Sequence, residues 1–245
     1  MTRCTFRFLL AIAFLAILPA CEEDTPKETT TTPEPEPEAG YAEFFLDEFD
    51  RADGALGDNW VTHVNEGSTL EIVGERLNVI SGQGSPDAFH VVPADPGLDT
   101  RITMDAFMEG GDFASTDSPV LILARAIVGS TDDPGEDLYA CGMIGGGSVI
   151  GTIVDSEFTP LVLSEEQIPL TDGLSYEITF TLEGTTLTCN VEAPDGSAEY
   201  EITVEDDKLD GGFVGLIAGD GQPVLYLDNF LIETKEPAAE EDGEE

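Results

Sequence analysis

Apolar and polar residues alternate one by one through most of this chain, and that period of two decides what it can fold into. In "SYEITFTLEG", Tyr176, Ile178, Phe180 and Leu182 fall on one side of an extended chain, and Glu177, Thr179 and Thr181 on the other. "TTLTCNVEAPDG" repeats the pattern with Leu187, Cys189 and Val191, and "AEYEITV" with Tyr200, Ile202 and Val204. Successive side chains of a strand point to opposite faces, so such segments bury one face and wet the other. Gly184 and the run Pro194-Asp195-Gly196 punctuate them as hairpin turns, and "STLEIVGERLNVISG" reads as another hairpin about Gly74-Glu75. "TRITMDAFM" is a further strand, and "PVLILARAIV", apolar on both phases, belongs in the middle of a sheet. Roughly a dozen strands or slightly more follow one another at the spacing of a β-sandwich. No segment past residue 20 has a helical period. The predicted fold class is all-β, a two-sheet antiparallel jelly-roll sandwich.

The ends of the chain differ from this middle. Arg3 and Arg7 precede the apolar run Phe8 to Leu18. That run is shorter than the roughly 20 residues that span a bilayer, and it suits the core of a secretory signal. It leads into "LPAC", Leu18 to Cys21, which resembles the bacterial lipoprotein signal box, a small residue directly before a cysteine. The resemblance implies cleavage before Cys21 and lipid on Cys21. It further implies a membrane-anchored lipoprotein of the bacterial cell envelope, at the outer membrane or the cell surface. Acyl chains would hold it there by about 0.8 kcal/mol per buried methylene. The segment "EEDTPKETTTTPEPEPEAG" that follows is almost free of apolar residues and reads as an extended tether. The predicted organisation is a signal peptide at 1–20, Cys21 and its disordered tether at 21–40, a β-sandwich domain at 41–234, and a disordered acidic tail at 235–245.

Charge narrows the partners. The chain carries 51 acids against 9 lysines and arginines, a net charge of −42. Between residues 40 and 234 the only cations are Arg51, Arg76, Arg101, Arg125 and Lys208. A phosphate backbone is bound by lysine and arginine that displace its counterions, so nucleic acid is excluded as a partner. Such charge keeps a chain soluble but repels itself, and a salty medium would screen that repulsion.

Two segments bracket the domain. "FFLDEFDRADGALGDNW" at its start and "VLYLDNFLIE" at its end resemble the two edges of the concanavalin A-like, laminin-G-like jelly roll of secreted bacterial proteins. Asp47, Phe49, Arg51, Gly54, Leu56, Gly57, Trp60, Gly215, Asp228, Asn229 and Phe230 carry the likeness. That fold hosts lectins, glycan-binding modules, glycoside hydrolases and adhesion domains, so it does not by itself give a function.

The acids of "LDEFDRADG" admit several readings. Laminarinase-like hydrolases of this fold carry Glu-x-Asp-x-x-Glu on a strand, and here Glu48-x-Asp50-x-x-Asp53 ends in the shorter Asp and runs into a turn at Gly54. Retaining hydrolysis needs two carboxyls about 5 to 5.5 Å apart, which a turn does not hold in register. An EF-hand loop fails because residues 49 and 51 are Phe and Arg. Many members of the fold bind a structural calcium between their first and last strands, and by that resemblance Asp47 or Glu43, with Asp228, would be its ligands. In the strand "VLYLDNFLIE" an alternation without interruption puts Asp228 with Val224, Tyr226, Phe230 and Ile232. A carboxylate there needs a metal or a partner; the alternatives are an ion pair with Arg51 or a cap of loop amides. Trp60 is expected to plug the sandwich.

Of four cysteines, Cys4 lies in the signal and Cys21 in the lipid box, leaving Cys141 and Cys189. In an oxidising compartment they would either pair or stay as two buried thiols. Function is read as a surface-displayed binding module for glycan or protein ligands, with a divergent glycoside hydrolase or a structural surface protein as alternatives. Tyr139, Phe113 and Phe158 are candidate sugar platforms, each more often a core residue. Asp155 and Glu157 are a candidate carboxylate pair, weakened by how common alternate acids are in this chain.

Overall fold

A computed structural model of the protein describes residues 40–64, 66–80, 87–90, 99–109, 119–127, 137–154, 157–168, 171, 173–194, 196, 198–218 and 224–235. Residues 1–39, which include Cys21 and the expected signal peptide, and Phe113, Asp155 and residues 236–245 lie outside them. The chain divides into Met1–Glu36 and Pro37–Glu245, and every described residue falls in the second unit.

The alternation becomes strands where the sequence places them. In order they are β1 (Tyr41–Asp47), β2 (Trp60–His63), β3 (Thr69–Ile72), β4 (Leu77–Ile80), β5 (Asp87–His90), β6 (Thr100–Glu109), β7 (Val120–Ile127) and β8 (Asp137–Ile144). β9 (Gly147–Val154), β10 (Glu157–Gln167), β11 (Ser175–Glu183), β12 (Thr186–Glu192), β13 (Glu199–Glu205), β14 (Phe213–Ala218) and β15 (Val224–Lys235) follow. One sheet runs β13-β12-β11-β6-β15-β4-β3, with β1 also on β15, and the other runs β10-β9-β8-β7-β14-β5-β2. The Gly74-Glu75 hairpin forms as read: both residues have positive φ, 61° and 62°, and Val73 N–H bonds to Arg76 O. Positive φ at both central positions is the twist-matched turn for two strands.

Between the sheets lies the main core. Tyr176, Ile178, Phe180 and Leu182 of β11 and Leu187, Cys189 and Val191 of β12 are all buried, as their alternation requires. They meet Tyr139, Cys141 and Met143 of β8 and Ile122 of β7 in one cluster. Cys141 and Cys189 form a disulfide with Cα atoms 5.6 Å apart, a usual separation for the bond. Because β8 and β12 belong to different sheets, the bond staples the sandwich through its core. β7 is central, between β8 and β14, and its other face is buried as well: Leu121 and Leu123 pack with Leu138, Ala140 and Val149 in a second cluster.

The last strand organises the first sheet. β15 pairs with β6 along its length, with β4 at Leu225–Leu227 and with β1 from Phe230 to Lys235. Its register slips between Asp228 and Leu231, and Asn229 sits there at φ 51°, a backbone region that asparagine tolerates better than most residues. The bulge reverses the faces. Leu225 and Leu227 are buried before it, and Phe230 and Ile232 after it. Asp228 therefore lies on the outer face with Tyr226, not on the apolar face with Phe230 and Ile232. At the end of β15, Tyr41 pairs with Lys235, and both Tyr41 Oη and Lys235 Nζ donate to Glu183 Oε1, at 3.0 and 2.9 Å.

Candidate functional site

The acidic opening segment is a structural hub. Asp47, 8% exposed, ends β1. Its Oδ1 accepts from Phe49 N–H at 2.9 Å and Arg51 Nη1 at 2.5 Å, and its Oδ2 from Arg51 Nη2 at 3.1 Å and Trp60 Nε1 at 2.8 Å. Burial alone would raise this carboxyl, but the hydrogen bonds from Arg51, Trp60 and Phe49, with the Arg51 charge, hold it below the usual carboxylate range. Trp60, 6% exposed, packs among Phe45, Phe49 and Phe230 with ring centroids 6.1, 6.0 and 5.2 Å away. It plugs the sandwich as expected. Glu48 and Asp50 are exposed beyond the strand end, and Asp53 Oδ1 accepts from Gly74 N–H at 2.9 Å. The three are not set along one strand, as a hydrolytic motif would need.

Calcium takes six to eight oxygen ligands. A guanidinium already occupies the position beside Asp47 that a cation would take, and Asp228 faces Arg76 instead, Oδ2 to Nε at 3.7 Å. No group of three or more His, Cys, Asp or Glu among the described residues could share a metal ion. Asp47 and Asp228 each face an arginine, and Arg51 pairs with Asp47 rather than with Asp228.

Across the outer face of the first sheet, register makes a row of acids. Glu199 lies opposite Glu192, Glu192 opposite Glu177, Glu177 opposite Asp105, and Asp105 opposite Asp228. Asn190 Nδ2 donates to Glu199 at 3.0 Å, and Asn229 Nδ2 to Asp105 at 2.7 Å. Burial, and then the charges of Asp105 and Glu192, raise the Glu177 carboxyl, which Arg101 lowers in part. Burial also raises Asp228; Asn229 N–H and Arg76 oppose this, and Asp105 and Glu48 add to it.

At the Asp228 end of the row is a cleft of about 440 Å³, within the size range of small-molecule sites. The Val73–Arg76 turn forms one wall, and Phe107, Glu109, Tyr226 and Asp228 complete it. Phe107 and Tyr226 are opposed in register, with ring centroids 6.1 Å apart at 48°. The Arg76 guanidinium lies over the Phe107 ring, 4.9 Å from its centroid. Phe107 stands on the polar phase of its strand, a signal the sequence carried and the candidate platforms missed; Tyr226 joins it on the outer face because of the bulge at Asn229. Of those candidates, Tyr139 is fully buried, its hydroxyl donating to Asp206 at 2.5 Å. Phe158 packs against the second cluster, where a Cβ on Gly151 would come 2.6 Å from its ring. Glu157 is exposed at the start of β10.

Solved structures resemble this domain. Lectin II from Ulex europaeus superposes with a TM-score of 0.57 at 11% identity, over 79% of this chain and all of that one. The fold is a concanavalin A-like jelly roll. A carbohydrate-binding module, CBM66 from Bacillus subtilis, gives 0.55 at 12% identity over 71% of this chain and 95% of that one. The CBM2 module of the evolved Dit of Lactobacillus casei BL23 phage J-1 gives 0.55 at 10% identity, over 80% and 97%. No family model and no curated protein matches the sequence.

Proposed function

We propose that the domain is a carbohydrate-binding module, held at a bacterial cell envelope by lipid on Cys21. The observation that carries this reading is the cleft, where Phe107 and Tyr226 stand on the otherwise polar face of a sheet with Glu109 and Asp228 beside them. Aromatic faces pack on the apolar CH faces of a sugar ring, and carboxylates accept hydrogen bonds from its hydroxyls. The lectin and the two carbohydrate-binding modules that share the fold support the reading. The "LPAC" box supports the anchor.

Residues 37–245 contain both sheets, the core and the disulfide. This unit, screened against a glycan array and insoluble polysaccharides, is expected to bind one sugar class saturably. The double variant Phe107→Ala, Tyr226→Ala should weaken that binding at least tenfold while leaving the fold intact by circular dichroism. Binding to no glycan overturns the reading. For the anchor, the full chain expressed in a bacterium with radiolabelled fatty acid should incorporate label, and Cys21→Ser should not.

A further inference from the structure

The acid row and the cleft meet at Asp228, and their meeting says which saccharides the cleft would favour. Like charges directly opposite on neighbouring strands repel, yet the row continues through five strands. The cleft adds Glu75 and Glu109 to Asp228, against the single cation Arg76. Arg76 shows what such a site accommodates: its guanidinium lies over the Phe107 ring and 3.7 Å from the Asp228 carboxylate. A positive group between an aromatic face and a carboxylate gains from both. Tyr226 and Glu109 offer a second set of the same kind. Tyr226 lies opposite Phe107, and Glu109 is two residues along β6 on the same face, so they are diagonal neighbours. No cation stacks on Tyr226 among the described residues. Asn78, opposite Tyr226 on β4 and only 7% exposed, has no donor for its Oδ1.

We propose that the cleft takes a saccharide bearing a protonated amine, with the ammonium held between the Tyr226 face and the Glu109 carboxylate, and Asp228 adding its charge from the far side of the ring. The proposal rests on the reading of the cleft as a saccharide site. Uronates and sulfated sugars meet like charge there and are rejected. A neutral sugar uses the rings but gains nothing from the acids.

The test is calorimetric titration of residues 37–245 with a glucosamine hexamer, its fully N-acetylated form and a galacturonate hexamer. At about pH 5.5 the amines are charged and most carboxylates ionised. The glucosamine hexamer should bind saturably at one site, at least tenfold more tightly than the acetylated form, and galacturonate should not bind. Asp228→Asn with Glu109→Gln should weaken the amine ligand at least tenfold more than the acetylated one, and Arg76→Gln should tighten it. The matched charge control Glu165→Gln with Glu166→Gln, on β10 of the other sheet, should leave amine binding within twofold. Equal affinity for the two glucosamine-based hexamers overturns the amine and leaves the saccharide reading standing. Amine binding that survives Phe107→Ala with Tyr226→Ala, or that falls equally in the charge control, is diffuse attraction to an acidic protein and overturns the proposal. If these hexamers fail but another glycan binds on the array, only the amine falls; if no glycan binds, both readings fall.

Discussion

Glu177 stands in the middle of the acid row, with Asp105 on one side and Glu192 on the other. Glu177→Gln removes its charge and keeps its size. Two directly opposed like-charge pairs cost about 0.2 to 1 kcal/mol each, and Arg101 offsets part of this. The variant should therefore be more stable by about 0.5 to 1.5 kcal/mol, or roughly 1 to 6 °C in a domain of this size. Urea unfolding at pH 7 and low salt measures it. In 1 M salt the screening length falls to about 3 Å, and the gain should largely disappear. The folded-state pKa of Glu177 is raised above its ordinary value of 4.5, so the folded protein takes up this proton before the unfolded chain does. As the pH falls through that raised pKa toward 4.5, the wild type gains stability relative to the variant and the gap closes. Below 4.5 both states are protonated and no further change is due from this group. A variant less stable at pH 7, or a gain unchanged in 1 M salt and at pH 4, would refute the charge argument and leave packing as the cause.

Cys141→Ala with Cys189→Ala opens a closed loop with a sequence separation of 48; the chain-entropy relation gives a loss of about 4 kcal/mol. A loss under about 1 kcal/mol in urea would show that the sheets are held together without the staple. Asp47→Ala leaves the Arg51 guanidinium and the Trp60 indole N–H without their shared acceptor, and should cost about 3 to 5 kcal/mol. Because the Asp47 carboxyl is held below 3.8 when folded, its contribution is present above pH 3.8 and is lost as the pH falls through the lower folded value. Urea unfolding of wild type and variant should converge there, and parallel curves down to pH 2 would contradict the assignment. Calcium or a chelator should move the melting temperature of residues 37–245 by less than about 1 °C; a shift of several degrees, against the near-zero linkage of an ion that does not bind, would restore calcium to the first and last strands.

Strand identity was legible because the alternation is local: the inward residues of β11 and β12 are the ones their phase selects. The Gly74-Glu75 turn was legible for the same reason, since its chemistry lies within four residues. Register was not. The sequence shows an acid on the outer phase of several strands, but only the pairing of β13, β12, β11, β6 and β15 sets Glu199, Glu192, Glu177, Asp105 and Asp228 opposite one another. The bulge at Asn229 defeated phase counting outright, because one slipped residue moves every later side chain to the other face. The placing of Asp228 on the apolar face with Phe230 and Ile232 leaned on that count. Phe107 was visible as an aromatic on the polar phase of β6, but Tyr226 was counted with Phe230 and Ile232, and the contact of the two rings needed the register as well. The Asp47–Arg51–Trp60 hub was half legible: its residues were named by resemblance, while the partner of each was not.

The pairing of Tyr41 with Lys235 has a mechanical consequence. The cleft lies near Tyr226, about 30 Å back along β15 from that end at roughly 3.3 Å per residue. β1 starts beside Lys235 and runs antiparallel to β15 toward Phe230, matched at six positions. A load applied at Tyr41 and resisted at the cleft runs along these strands rather than across them. It pulls β1 past β15 in shear, so the ladder bonds share the force instead of opening one after another. At the far end of β1, the Asp47 clamp on Arg51 and Trp60 resists the same sliding.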